Sequence, residues 1–184
     1  MTTPYPSANP GGEHNWLVRN ALKDWVDAQH IPGVNDIMLT LQPLSHFEDN
    51  SEQNAETGCA SVIYIEMGED AESRAALVGP TNPGGKDINY TVMLHVRHRG
   101  FDMDDWEGSQ RDYNRIIDRL KDCLRAEGRD LGRPDVILQA ADWPRDRGLV
   151  HTPSEPVVDN SVVDRWGVLS FQVLQYLPTF VPTP

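Results

Sequence analysis

Apolar positions recur along this chain with two periods, and the switches between them mark its elements. Leu17, Val18, Ala21, Leu22, Trp25 and Val26 follow the three-and-four spacing of a helix with one buried face. Asn15 is placed to cap it, while Pro32, which restricts Ile31, and Gly33 stop it near His30. The alternation then changes to period two. Ile37-Met38-Leu39-Thr40-Leu41 predicts a strand ended by Pro43, and residues 60–67 (ASVIYIEM) predict a second, rich in β-formers at Val62, Ile63 and Tyr64. Residues 88–99 predict the longest strand. Tyr90, Val92, Leu94 and Val96 fall on one face, with Thr91, Met93, His95 and Arg97 on the other. The helical period returns over 109–127, where Tyr113, Ile116, Ile117, Leu120, Cys123 and Leu124 form one stripe. Ser109 with Asp112 resembles a capping box there, and Gly128 stands where a C-terminal glycine belongs. Residues 136–139 predict a short strand. The last strand, 166–177, alternates around Leu169, Phe171 and Val173.

Between these elements the chain is polar. Residues 1–14, with three prolines and two glycines, predict a flexible N-terminal arm. Long loops are predicted at 44–58, 68–87 and 141–160, the last holding Pro144, Pro153 and Pro156. Pro178, Pro182 and Pro184 make 178–184 a Pro-rich C-terminal tail unable to join a sheet interior. The order α-β-β-β-α-β-β predicts an α+β fold: a mainly antiparallel β-sheet with two amphipathic helices packed on one face, in one domain over 15–177. No internal repeat or low-complexity tract interrupts it.

Composition narrows the function classes. With 184 residues and 39% apolar side chains the chain can build one core, which excludes full disorder. No run approaches the ~18 apolar residues of a spanning helix. The first residues lack the basic and apolar regions of a signal peptide, making the cytoplasm the default compartment. Cys59 and Cys123, the only cysteines, give no disulfide framework. The net charge of −12 is uneven. Residues 1–90 carry 4 basic and 13 acidic groups, and residues 91–184 carry 12 and 15. The first half therefore has no basic stripe to neutralise phosphates, and its charge would repel DNA.

Candidate chemistry is sparse. His95 and His98 suggest a metal pair, but residues three apart on a strand face opposite sides, so both read as surface polar groups on a half-exposed strand. The remaining histidines, His14, His30, His46 and His151, are scattered. Cys123 falls on an apolar helix face and Cys59 has no neighbouring histidine, so neither reads as a nucleophile. The run Gly79–Asp87 fails as a phosphate loop: Gly85 occupies the lysine position, Lys86 that of Ser or Thr, and a strand follows. Asp102, Asp104, Asp105 and Glu107 favour the start of a helix electrostatically and lack calcium-loop spacing. Arg111, Arg115 and Arg119, interspersed with Asp112, Asp118 and Asp122, mark a solvated or subunit-facing side. No catalytic, cofactor or metal residues are expected.

What remains favours assembly. The loops are long, both ends are proline-rich, and of the five tryptophans (Trp16, Trp25, Trp106, Trp143, Trp166) the last three lie outside the predicted helices. An N-terminal helix, NWLVRNALKDWV, leads into loop-separated strands; INYTVMLHVRHRG then feeds the helix DYNRIIDRLKDCLRAEG, and GVLSFQVLQYLPTF closes the domain. In element order and character this resembles the tail terminator proteins of long-tailed bacteriophages, also called minor tail or tail-completion proteins, over most of residues 15–180. The chain is longer than the family's compact members, with the excess in its loops and arms. The resemblance implies a structural virion protein, not an enzyme. It would form a homo-oligomeric ring, usually a hexamer, at the head-proximal end of the tail tube. The ring would be assembled in the host cytoplasm, with tail tube protein and a head-completion or neck protein as partners. Genomic DNA would pass through without sequence-specific binding. Acidic residues of the first half are expected in the channel wall. Another head–tail connector subunit, such as a stopper, is the alternative, followed by a small cytoplasmic enzyme and a monomeric adaptor.

Overall fold

The computed structural model describes residues 12–39, 59–74, 85–100, 104–126, 131, 136–138, 149–159 and 162–178. Its elements run α1 (Gly12–Ala28), β1 (Asp36–Met38), β2 (Cys59–Arg74), β3 (Gly85–Gly100), α2 (Trp106–Arg125), β4 (Val136–Leu138), β5 (Val150–Pro153), β6 (Val157–Asp159) and β7 (Val162–Pro178). This is the α+β class that the two periodicities predict. One seven-stranded sheet has the order β1-β2-β3-β7-β4, with β5 and β6 also paired to β7. Among the described residues only β1 runs parallel to its neighbour, and the other pairings are antiparallel.

The period-two alternation sets the two sheet faces. Ile63 and Ile65 of β2, Val92, Leu94 and Val96 of β3, and Leu169, Phe171 and Val173 of β7 are buried in one cluster. Val18, Leu22 and Val26 of α1 and Ile116, Ile117, Leu120 and Leu124 of α2 join that same cluster, so both helices cover the same face. Val62 and Tyr64 point the other way and form a small separate cluster with Met38.

Several boundaries differ from the sequence expectation, each for a local reason. Helix α1 begins at Gly12, inside the expected arm, and Asn15 is no cap: its side-chain oxygen accepts from Arg19 Nε one turn on, at 2.9 Å. The helix ends at Ala28, and His30 takes a left-handed backbone (φ 46°) before Ile31 turns back into the core. Helix α2 starts at Trp106, three residues before Ser109. Asp105 is its cap, accepting from Gly108 N at 2.8 Å, and a Cβ on Gly108 would lie 1.9 Å from the Asp105 carboxylate. Ser109 is buried and bonded elsewhere. Removing the cap in Asp105→Ala is expected to lower stability by about 1 kcal/mol, read from the urea midpoint.

The described residues of the expected 68–87 loop, 68–74 and 85–87, are strand, and 75–84 lie outside the described residues. β2 continues to Arg74 through an irregularity between Met67 and Asp70, and β3 already starts at Gly85. On the β2 side of these rungs, Asp70–Arg74, every residue but Ala71 is polar, so no hydrophobic alternation signals it. Likewise β5 and β6 lie within the expected 141–160 loop. Their side chains are almost all exposed, leaving no period to read. Pro178 ends β7 opposite Gly85, so the expected tail contributes the last rung of the sheet. The first strand is shorter than 37–41, with Thr40 and Leu41 outside the described residues. The 44–58 loop and the tail beyond Pro178 also lie outside them. No described helix is long and apolar enough to cross a membrane.

Candidate functional site

Large apolar side chains collect at one end of the sheet, where β6 and β7 meet. Val157 is paired with Asp164 and Val158 with Val163, which sets the two valines beside the start of β7. Ser154 donates through its amide (2.8 Å) and its hydroxyl (2.7 Å) to the Trp166 carbonyl, fixing the chain between β5 and β6 on the same stretch. Arg165 reaches from β7 to the first turn of α2 and donates to the Trp106 carbonyl at 3.1 Å, its guanidinium 5.8 Å from the Trp106 ring centre. Residues 163–166 thus gather Trp106, Val157, Val158 and Trp166. Trp106 is 41% exposed, Trp166 43% and Val157 62%; Trp16, Val150 and Tyr176 are exposed elsewhere. Trp106 lies on the helix side and Trp166 on the opposite face. The apolar groups therefore wrap around the end of the sheet, with the exposed Asp104, Asp105, Glu107 and Glu155 nearby in the chain.

Polar groups hold each face behind this rim. On the face away from the helices, Asp164 accepts from Arg97 Nη2 at 2.8 Å and from Arg99 Nε and Nη2 at 2.9 Å each. Burial alone would raise the Asp164 carboxyl, but the hydrogen bonds from Arg99 and Arg97 outweigh it and the pKa is lowered. His95 Nε2 donates to Glu66 at 2.6 Å, and its ring packs edge-on to Trp166 at 5.9 Å. On the helix face the register aligns Ser61, His98 and Arg165 across three strands. Ser61 Oγ and His98 Nδ1 are hydrogen bonded at 2.8 Å, and the Tyr113 hydroxyl meets His151 Nε2 at 3.2 Å. Burial pushes Tyr113 up to about 12 and draws His151 down.

Most residues singled out in the sequence fall among the described ones; His46 lies outside them. His95 and His98 do face opposite sides, as strand geometry requires, yet both are buried, which corrects their reading as surface groups. Each owes its burial to a partner invisible in one strand's sequence: Glu66 or Ser61, both on β2. Burial pushes the Cys123 thiol up, an environment opposed to a reactive thiolate. Cys59 opens β2 opposite Gly100. Gly85, Lys86 and Asp87 are ladder residues of β3, while 79–84 lie outside the described residues. Asp105 caps α2, and Asp104 and Glu107 flank that cap; Asp102 lies outside the described residues. Arg111, Arg115 and Arg119 are exposed along α2 with Asp118 and Asp122, and Arg115 pairs with Asp112 at 3.2 Å. Trp16 is exposed on α1, Trp25 packs against the core, and Trp143 falls outside the described residues. Among the described residues no group of three or more His, Cys, Asp or Glu side chains could hold a metal ion.

The buried polar row on the helix face is what sequence reasoning missed. Its one signal was the placement of His98 and Arg165 on the apolar parity of their strands. What the fold and its surface define is an α+β protein with a helix-covered sheet that displays aromatic and aliphatic groups at one end. No protein-family model matches the chain, and no curated protein matches it in sequence.

Proposed function

We propose that the chain is a structural subunit of a bacteriophage tail, of the tail-terminator kind. Copies of it form a ring that caps the head-proximal end of the tail tube, stops tube polymerisation and provides the surface for head–tail joining. The observation carrying this reading is the exposed apolar rim of Trp106, Val157, Val158 and Trp166. Groups of this kind concentrate binding energy at interfaces and are costly to leave in water. The element order of the described fold also agrees with the family that the sequence resembles. A closed ring needs two different complementary surfaces on each subunit, and the opposite faces of a helix-covered sheet offer them. Tail tube protein and a head-completion protein are the further partners in this reading, and it assigns the chain no catalytic step. The charge of −9 over residues 1–90 suits a passage that DNA must traverse without sticking.

Two measurements test the proposal. Native mass spectrometry of the purified chain, alone and with tail tube protein, is expected to show a closed ring. Added to polymerising tube protein, the ring is expected to halt growth. A chain that stays monomeric under both conditions and leaves polymerisation unchanged overturns the reading, and selective binding to a portal-side adaptor moves the subunit to another connector position. Trp166→Ala, which removes an exposed ring and leaves the core intact, is expected to weaken self-association at least tenfold, as befits an interface anchor worth about 2 kcal/mol. Sedimentation at several concentrations reads that loss.

A further inference from the structure

Arg165 fastens the start of α2 to the sheet through acceptors that carry no charge. Its Nε donates to Ser109 Oγ at 3.1 Å, Nη1 to Gln110 Oε1 at 2.5 Å and Nη2 to the Trp106 carbonyl at 3.1 Å. All three acceptors lie in the first turns of α2, and among the described residues no carboxylate pairs with Arg165. Gly100 permits this close approach, since a Cβ there would come within 2.8 Å of Ser109 Oγ. Directly across the ladder from Arg165, on the same face, stands His98. It is fully buried. Its Nδ1 is taken by Ser61, and its Nε2 has no hydrogen-bond partner.

We propose that this row is an acid-operated latch: protonation of His98 places a second cation beside Arg165 and frees the first turns of α2 from the sheet. Burial decides the direction, against the balance of the charges that face His98. From β2 comes neutral Ser61, from α2 the carboxylate Asp112 and from β7 Arg165, with Asp164 farther off; the two carboxylates favour a charged imidazole and Arg165 opposes it. Asp112 is already paired with Arg115, and Asp164, on the far face of β7, is held by Arg97 and Arg99. Complete burial with Nε2 unpartnered nevertheless leaves a charged imidazole unsolvated, and separating the helix from the strand hydrates it.

Linkage fixes the sign and the size. Burial draws His98 down to about 4, against an ordinary value of 6.5 that it regains when the helix start opens. The open form therefore binds the proton better, and its population rises as pH falls below 6.5. Between pH 7.5 and pH 5.0 the increase is roughly 30-fold. Opening frees Trp106 from its contact with Arg165, so the latch would alter the apolar rim directly. The latch is independent of the ring proposal, because it concerns the subunit alone.

Amide hydrogen exchange on the full chain at these two pH values, corrected for the chemical pH dependence of exchange, tests it. The opening equilibrium over residues 106–113 is expected to rise roughly 30-fold while that over 117–124 stays within a factor of three. In His98→Gln and in His98→Leu the rise over 106–113 is expected to vanish. An equal rise along the whole helix, a rise that persists in a folded variant, or no rise at all overturns the latch. Should both variants fail to fold, the unaltered protein decides: a rise over 106–113 that follows the protonation of the His98 ring signals supports the latch, and a rise that does not follow them overturns it.

Discussion

Gly167→Val is expected to destabilise the protein by about 3 kcal/mol, although it adds apolar atoms at a buried position. A Cβ at Gly167 would lie 1.9 Å from the Tyr113 hydroxyl, 2.9 Å from His151 Nε2 and 3.3 Å from the Thr152 carbonyl. Tyr113 cannot swing clear without loss, because it is buried under α2 and hydrogen bonded to His151. The helix must lift or the hydroxyl must lose its partner. Urea unfolding reads the cost, and combining Gly167→Ala with Tyr113→Phe shows its origin. If the hydroxyl is the obstacle, the second change recovers much of the stability lost by Gly167→Ala alone. Gly68→Ala is the control: the first atom its Cβ meets is the flexible end of Met93, at 3.3 Å. A loss there as large as at Gly167 would contradict this account.

The second large effect belongs to Asp164. Asp164→Ala is expected to cost about 3 kcal/mol at neutral pH, because it strips two largely buried guanidiniums, Arg97 and Arg99, of a shared carboxylate. The loss should depend on pH in a definite sense. Since the folded carboxyl is held below its ordinary value, its stabilisation is complete above the unfolded pKa, near ~3.9, and fades as pH falls through the folded value. His98 acts in a different window. Its buried neutral form withdraws stability as pH falls from 6.5 towards about 4. Acid titrations of stability for Asp164→Asn and His98→Gln should therefore flatten separate limbs of the curve. Parallel shifts of the whole curve would show that neither carboxyl nor imidazole is coupled to folding in this way.

Both helices, the central strands and the side chains between them were legible because burial writes a period into the sequence. Ile116, Ile117, Leu120 and Leu124 mark α2 as clearly as Val92, Leu94 and Val96 mark β3. Elements held by backbone pairing alone left no such trace. Glu69–Arg74 continue β2 with side chains that are polar except at Ala71, and the described side chains of β5 and β6 are nearly all exposed, so a reading based on hydrophobicity makes loops of them. The polar row was hidden for another reason. His98 belongs to the apolar parity of β3, but only the registers with Ser61 and Arg165 reveal why a histidine is tolerated there. The apolar rim was half visible: Trp106 and Trp166 stand out by type, whereas Val157 and Val158 become informative only once their exposure is known.

The pairing of β3 with β7 has a consequence for how the chain folds. Gly100 meets Val163 and Gly85 meets Pro178, so every rung of this central pair joins residues more than sixty positions apart. The β2–β3 hairpin closes locally, yet its helix-side face stays incomplete until β7 arrives, and β7 follows every other described element in the chain. Closing so long a loop is entropically expensive before any contact repays it, which places this protein among slow, non-local folders. During synthesis the partly formed sheet would expose the β3 edge until residues 162–178 leave the ribosome. Docking of β7 is thus the committing step, and destabilising changes along β7 should slow refolding, whereas those at the periphery of the sheet should mainly speed unfolding.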